Sequence, residues 1–264
     1  RVRLDHLLVE RGLAASGSEA QALVLAGRVR VDGAGGRVLK AGQLVAGDIG
    51  VSVSSGPRFA SRAADKLVAA LDAFGIDVSG SVCLDAGAST GGFTDVLLER
   101  GAARVYAVDV GRAQLVERLR TDARVVSMER TNLRTLTALP ELVDLATLDL
   151  SFISLRLVLP TVRRLLIAGG RVVALVKPQF EAGRTDVPRG GVVRDPAVHR
   201  SVLLRFATDA AAAGFSATDL IPSPLTGHEG NREFLAVLRA ADLDRAVADW
   251  AARVDRAVGP TVGA

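Results

Sequence analysis

Apolar and polar positions follow two rhythms along this chain. From residue 81 onward, short apolar runs alternate with stretches whose apolar residues recur every three or four positions. Strand-like runs fall at 82–85, 104–108, 125–128, 145–148 and 171–176, with helical stretches near 94–100, 114–120 and 155–166. That alternation predicts βαβ units, hence a parallel sheet with right-handed crossovers. A long helix is predicted over 196–213, closed by Gly214, followed by strands at 215–221 and 233–238. No helix separates those two strands, so the last is expected to run antiparallel. The expected fold class is α/β, a Rossmann-like seven-stranded sheet with its final strand antiparallel, and a terminal helix around Trp250.

Residues 1–53 have a different pattern and predict a small α+β domain. A first helix covers Leu4 to Gly12, with Asp5 as its N-cap and Gly12 at its end. Ser16 and Glu19 form a capping box that opens a second helix, stopping at Gly27. Arg28-Val29-Arg30-Val31 alternates like a strand, Asp32-Gly33 reads as a hairpin turn, and return strands are expected at 38–39 and 48–53. Residues 54–62 read as a linker, and 63–264 as the larger domain, opening with a helix over 63–74.

Composition changes this picture little. The 264 residues suit one medium and one small domain. A formal charge of +4 leans mildly toward a polyanionic partner. The single cysteine, Cys83, sits in the first predicted strand and reads as a small buried apolar residue, in keeping with a reducing cytoplasm. No charged-then-apolar leader opens the chain and no run reaches about 18 apolar residues, so no membrane partner is expected. His6, His199 and His228 are scattered without ligand spacing, so no metal is expected.

The candidate chemistry begins at Cys83-Leu84-Asp85-Ala86-Gly87-Ala88-Ser89-Thr90-Gly91-Gly92-Phe93-Thr94. An apolar strand meets an acidic residue, and a small-residue turn opens a helix, as in nucleotide-binding sheets. No Gly-Lys-Ser/Thr follows, which excludes a Walker loop. An early carboxylate at Asp85 would repel a pyrophosphate and suits a ligand with a cationic end, such as S-adenosylmethionine. The bland alternative is an ordinary turn without a ligand. Ligand groups in such a sheet gather at strand C-terminal ends. Asp85, Gly87, Ala88, Ser89, Thr90, Gly91, Gly92 and Phe93 are therefore candidate donor-binding residues. Asp109, after the second strand, suits a ribose diol, and Glu129, Thr131 and Asn132 could edge an adenine. Asp149 and Lys177 end the fourth and fifth strands, where a lysine before proline is costly unless its charge is used.

With Lys66 and Glu233, Asp149 and Lys177 resemble the Lys-Asp-Lys-Glu tetrad of ribose 2′-O-methyltransferases. A ribose hydroxyl is a poor nucleophile and must lose its proton as it attacks. A lysine amine can take that proton, and nearby carboxylates can orient it. Lys177 is the expected base, Asp149 its orienting partner, and Lys66 and Glu233 the residues that position the hydroxyl. On its own, Lys66 would pass for a surface lysine.

The spacing of Arg3-Leu4-Asp5, Gly12-Leu13-Ala14 and Val31-Asp32-Gly33 resembles the RNA-binding module shared by a small-subunit ribosomal protein and many pseudouridine synthases. Arg3, Arg11, Arg28, Arg30 and Arg62, with Lys40 nearby, are the candidate RNA contacts, though a solvated surface is the bland reading. Ser61-Arg62-x-x-x-Lys66, Asp85 to Thr94, Asp149-Leu150-Ser151-Phe152-Ile153-Ser154, Lys177-Pro178-Gln179-Phe180-Glu181, Gly190-Gly191-Val192-Val193-Arg194-Asp195-Pro196 and Gly230-Asn231-x-Glu233-Phe234 resemble the TlyA family over nearly the whole chain. The resemblance implies S-adenosylmethionine-dependent 2′-O-methylation of a ribose, on cytidine, in ribosomal RNA. It implies a cytoplasmic monomer whose partner is ribosomal RNA or a ribosomal subunit. Alternatives are a methyltransferase of small molecules, a noncatalytic RNA-binding protein and a membrane-active hemolysin. Ala60 and Ala63 depart from the family's aromatic-Val-Ser-Arg-Gly stretch. The loop at 181–194, rich in Gly and Arg, is expected to be mobile or to close over substrate.

Overall fold

The computed structural model describes residues 1–25, 28–32, 39–53, 58–112, 114–183, 185–227, 230–240 and 249–259. Gly27, Gly33, Val38, linker residues 54–57 and His228 lie outside them. The chain divides into two compact units, Arg1–Phe59 and Ala60–Ala264.

The first unit comprises β1 (Val2–Arg3), α1 (Leu4–Glu10), α2 (Gly17–Leu25), β2 (Val29–Val31), β3 (Leu44–Val45) and β4 (Val51–Val53). Leu4, Leu7 and Leu8 share one face of α1 and pack with Ala20, Leu23 and Val24 of α2 and with Val29, Val31 and Val45. β1 pairs antiparallel with β3, and β2 with β4. The Ser16 hydroxyl accepts from the Glu19 N–H at 3.2 Å, while the Glu19 carboxylate accepts from the Ala15 N–H at 2.7 Å. This is the reciprocal closure of a capping box, one residue wider than usual.

Two expectations fail here. Asp5 is not an N-cap, because the helix already begins at Leu4 and Asp5 lies in its first turn. Leu39 is in no strand, and β3 stands at Leu44–Val45 instead. The buried Asp5 carboxylate accepts from Arg3 Nε and Nη2 at 3.0 and 2.7 Å and faces Gln21 Nε2 at 3.4 Å.

The second unit comprises α3 (Ala64–Phe74), β5 (Val82–Ala86), α4 (Gly92–Glu99), β6 (Arg104–Val108), α5 (Glu117–Arg120), β7 (Val125–Met128), β8 (Val143–Leu148), α6 (Leu159–Leu165), β9 (Leu166–Val176), α7 (Pro178–Glu181), α8 (Pro196–Ala212), β10 (Phe215–Pro222), β11 (Phe234–Ala240) and α9 (Trp250–Val258). Seven strands form one sheet in the order β10-β11-β9-β8-β5-β6-β7. The five strands from β7 to β9 are mutually parallel, whereas β11 runs antiparallel to both β9 and β10. The C-terminal ends of the parallel strands therefore lie at one edge, where the sequence placed its polar residues.

The helix expected over 155–166 is broken. Leu155–Leu157 forms a single 3-10 turn, and α6 starts at Leu159 with Pro160 in its first turn. Proline has no N–H to donate and fits the start of a helix, not its middle. β9 starts at Leu166, five residues early, and the stretch at 114–120 is helical only over Glu117–Arg120. α8 starts where Asp195 accepts from the Ala197 N–H at 2.8 Å.

The Arg3 guanidinium holds the Asp5 carboxyl down at about 2, the hydrogen bond outweighing burial. Asp5 thus favours folding above its unfolded value near 3.8, and that contribution is lost as pH falls toward 2. Asp5→Ala should cost the N-terminal unit about 1–2 kcal/mol at neutral pH. Thermal melts of the two proteins should converge as the pH is lowered from 4 toward 2.

Candidate active site

The turn after β5 is shaped by contact with the end of β8. Gly87 has φ +86°, and a Cβ there would collide with the Asp149 carbonyl. Only glycine satisfies both conditions. The Gly87 and Ala88 N–H groups both donate to the Val108 carbonyl, at 2.9 and 3.2 Å, and Asp149 N–H donates to Ala86 at 3.0 Å. The turn is thereby tied to both neighbouring strands. A Cβ on Gly92 would meet Ser61 Oγ, and one on Gly91 would meet Leu115 and Leu119.

Asp85 sits beneath this turn and lines neither cleft. Its carboxylate is fully buried and accepts from Thr94 Oγ1 at 2.7 Å and Thr147 Oγ1 at 3.2 Å. Thr147 is its direct register partner in the β5/β8 ladder, so the contact follows from strand pairing. Direct contact of Asp85 with a cationic ligand, expected from its position, is therefore corrected: its oxygens face inward. Burial pushes this carboxyl up to about 6, against the pull of its two threonine donors, and the neighbouring Asp149 charge adds to the rise.

A cleft of about 360 Å³ opens above β6 and β7, lined by Gly87, Ser89, Asp109, Asn132, Leu133 and Ile153 among others. Asp109 accepts from the Ser89 N–H at 2.8 Å and the Gly111 N–H at 2.7 Å, which fixes its carboxylate at the cleft wall. Asn132 lines the cleft while its Oδ1 caps the Arg134 N–H at 3.0 Å. Glu129 and Gly91 are absent from the walls of both clefts. Glu129 instead borders a small recess beside Ser89 and Asp109, with Oε1 buried and unpartnered.

A second cleft, of about 610 Å³, adjoins the first, sharing Gly87, Ser89, Asp149, Ser151 and Phe152. Ala88, Thr90, Gly92 and Phe93 line it, as do all four of Lys66, Asp149, Lys177 and Glu233. They meet as two ion pairs: Lys66 Nζ to Glu233 Oε2 at 2.6 Å, and Lys177 Nζ to Asp149 Oδ1 at 2.7 Å. Lys177 Nζ also donates to Ser151 Oγ at 3.1 Å. Lys66 and Glu233 lie 167 residues apart in sequence.

Several supports escaped sequence reasoning. Glu181 accepts from Ser154 Oγ and from the Leu155 N–H, both at 2.7 Å, pinning the loop that carries Asp149, Ser151 and Phe152. Burial raises its carboxyl above the usual range, opposed by those two donors. Asn231 accepts from the Val193 N–H and donates to the Gly191 carbonyl, both at 3.0 Å. The loop expected to be mobile is thus fastened at its C-terminal end. Phe152 is 91% exposed, holds φ +63°, and packs on Phe180 with ring centroids 5.1 Å apart.

Residues 59–240 match the FtsJ-like methyltransferase family. The chain belongs to that family. Residues 2–46 match the S4 domain. Among relatives of this methyltransferase, the 16S/23S rRNA (cytidine-2′-O)-methyltransferase TlyA of Mycobacterium tuberculosis is 48% identical over 251 residues, covering 94% of this chain and 92% of that protein. Hemolysin A of Brachyspira hyodysenteriae is 40% identical over 238 residues, covering 89% of this chain and 98% of that protein. A solved structure from Streptococcus thermophilus, named as a hemolysin, superposes with a TM-score of 0.71 at 41% identity, covering 97% of this chain and 94% of that one.

The S4 domain's candidate arginines divide into two kinds. Arg3 is paired with Asp5, and Arg11 donates to the Gly47 and Ile49 carbonyls at 2.8 and 2.7 Å, so both are committed to holding the domain together. Arg30 points outward from β2, and Arg28 is half-buried. In the methyltransferase domain Arg62 is exposed. Among the described residues no helix is long and apolar enough to cross a membrane, and no group of His, Cys, Asp or Glu could hold a metal ion.

Because the folded-state carboxyl of Asp85 lies above the unfolded value of 3.8, the native protein binds a proton more readily between about pH 4 and 6. Wild-type stability should therefore lose this contribution as pH rises through 6. Asp85→Asn removes the buried charge, so the variant should melt at a higher temperature than wild type above pH 6, and the gap should close by pH 4.

Proposed function

We propose that this protein transfers a methyl group from S-adenosylmethionine to the 2′-hydroxyl of a cytidine in ribosomal RNA. The observation that carries this reading is the meeting of Lys66, Asp149, Lys177 and Glu233 in one cleft beside the glycine turn. The name of the TlyA relative specifies the same reaction class.

The two clefts fit the donor and the acceptor. Asp109 and Asn132 would hold the ribose and base of the nucleoside part, with Leu133 and Ile153 supplying apolar walls. Gly87 to Thr90, Gly92 and Phe93 would surround the amino-acid part. The donor supplies a methyl group on a positively charged sulfur. Asp85 acts from below: its negative charge at neutral pH favours a cation above the turn, without contact.

Lys177 acts as the base. Its ion pair with Asp149 and its bond to Ser151 aim the amine into the cleft. Lys177, once its ammonium has given up one proton to solvent, takes the hydroxyl proton on the neutral amine as the ribose oxygen forms its bond to the methyl carbon. The carbon–sulfur bond breaks, and its electron pair stays on sulfur as a neutral thioether. Lys66, held by Glu233, donates to the reacting oxygen and fixes its approach. Phe152 and Phe180 offer an aromatic wall at the mouth of the same cleft, suited to stack a nucleobase.

The S4 domain would supply the sequence-independent grip on structured RNA, with Arg30 as an exposed phosphate contact there and Arg62 as one in the methyltransferase domain. Lys177→Ala should lower methyl transfer to ribosomal RNA by about 10²–10⁴-fold while donor binding, read by calorimetry, survives. Full activity in that variant would remove Lys177 from the reaction. Mapping the methylated ribose by primer extension would test the cytidine assignment.

A further inference from the structure

Three consecutive residues, Asn231, Arg232 and Glu233, each hold a different part of the molecule. Asn231 clasps Gly191 and Val193 of the loop before α8. Glu233 pairs with Lys66 of α3. Arg232 donates from Nη1 to the Val258 carbonyl at 2.6 Å and from Nη2 to the Ala257 carbonyl at 2.7 Å. Those carbonyls belong to the last turn of α9, whose own helix leaves them without partners. Arg232 also packs over the Phe234 ring, 5.3 Å from its centroid.

A guanidinium at a helix C-terminus is usually a local stabiliser. Two features give this one a further consequence. Its chain neighbours are buried, Asn231 at 4% and Glu233 at 3% exposure, and both line the 610 Å³ cleft. The far end of the clamp is itself fixed, since Val254, Ala257 and Val258 are buried in the main core and Trp250 Nε1 donates to the Leu203 carbonyl at 2.9 Å. A planar fork on two adjacent carbonyls leaves the Arg232 backbone little freedom to rotate.

We propose that Arg232 is a positioning residue for the methyl-transfer step, coupling the C-terminal helix to Glu233 and, through it, to Lys66. The inference rests on the proposed reaction. α9 touches neither cleft, yet Arg232 joins it to the segment that carries Glu233, adding to two backbone bonds, Gly227 N–H to the Asn231 carbonyl at 2.8 Å and Ser223 N–H to the Glu233 carbonyl at 2.9 Å. Loss of the fork lets the 231–233 segment turn, so Glu233 no longer holds Lys66 and Asn231 releases the 191–193 loop together. The cleft for the nucleoside part of the donor, lined by residues at the ends of β5, β6, β7 and β8, includes none of residues 231–233 and is left as it was.

The test compares Arg232→Ala and Arg232→Lys with wild type in the full-length protein. Turnover at saturating donor and ribosomal RNA should fall by about tenfold to a hundredfold in the alanine variant, with donor affinity within about twofold of wild type. Lysine cannot span both carbonyls and should fall in between, and low, non-denaturing guanidinium should restore part of the alanine variant's turnover. Hydrogen exchange, which needs no activity, should quicken over 191–193 and 230–233 and stay unchanged at Gly87, Ala88 and Ser89. Wild-type-like exchange over 230–233, or wild-type turnover, in Arg232→Ala would overturn the inference. So would a uniform loss of donor binding and exchange protection, which would mark a general stabiliser. If the wild type itself transfers no methyl group to ribosomal RNA, the proposed reaction fails, and the exchange pattern still decides whether Arg232 orders this segment.

Discussion

Charges held away from water must be matched, and the second unit is arranged to match four of them at one sheet edge. Glu233 is almost wholly buried, Lys66 and Lys177 nearly so, and Asp149 somewhat less. Removing one partner of such a pair strands the other and costs about 3–5 kcal/mol. The Lys66–Glu233 pair therefore does two things. It keeps an ammonium in a cleft that would otherwise expel it, and it ties the first helix of the unit to the start of its last central strand. The Lys177–Asp149 pair does the same between the ends of β9 and β8.

The surroundings are built to keep those pairs from drifting. Glu181 grips Ser154 and Leu155, and that fixes the loop between Asp149 and the 3-10 turn. Phe152 on that loop holds a left-handed backbone, a conformation that costs a bulky residue about 1–3 kcal/mol and persists only when neighbours impose it. The Phe180 ring on one side and the Glu181 clamp on the other impose it here. An aromatic face is thus kept in solvent at the cleft mouth, where burial would have been the cheaper arrangement.

Much of the fold was legible because it depends on local chemistry. The Gly87 turn, the strand rhythm and the antiparallel last strand all follow from small residues, periodicity and loop length. The failures have physical reasons too. Pro160 starts a helix where periodicity alone ran straight through. Asp5 could cap a helix by its residue type, yet Arg3, two residues earlier, drew its carboxylate inward. Asp85 has the right charge at the right strand end, but Thr147 directly opposite in the ladder turned it down into the sheet. Thr147 and Thr94 are ordinary residues until pairing is known. Glu181, Asn231 and Arg232 lay within recognisable motifs, but their partners are 25 to 40 residues away and only the fold brings them close.

The two alanines that depart from the family pattern can now be weighed by conformation. Ala63 has φ −57° and ψ −29°, an ordinary right-handed helical geometry that does not require glycine. Its Cβ adds a methyl group to the wall of the larger cleft and no backbone strain. At Ala60 the contact that matters is made by the backbone: its N–H donates to Asp95 Oδ2 at 2.8 Å. Asp95 is oriented in turn by the two-pronged Arg118 guanidinium. A valine at position 60 would offer the same N–H, so exchanging it for alanine leaves this anchor intact. What the exchange does remove is side-chain volume beside Ser61, whose hydroxyl fills the space that Gly92 leaves without a Cβ. The segment leading into α3 is therefore held by a peptide group and a close glycine contact, both of which tolerate alanine.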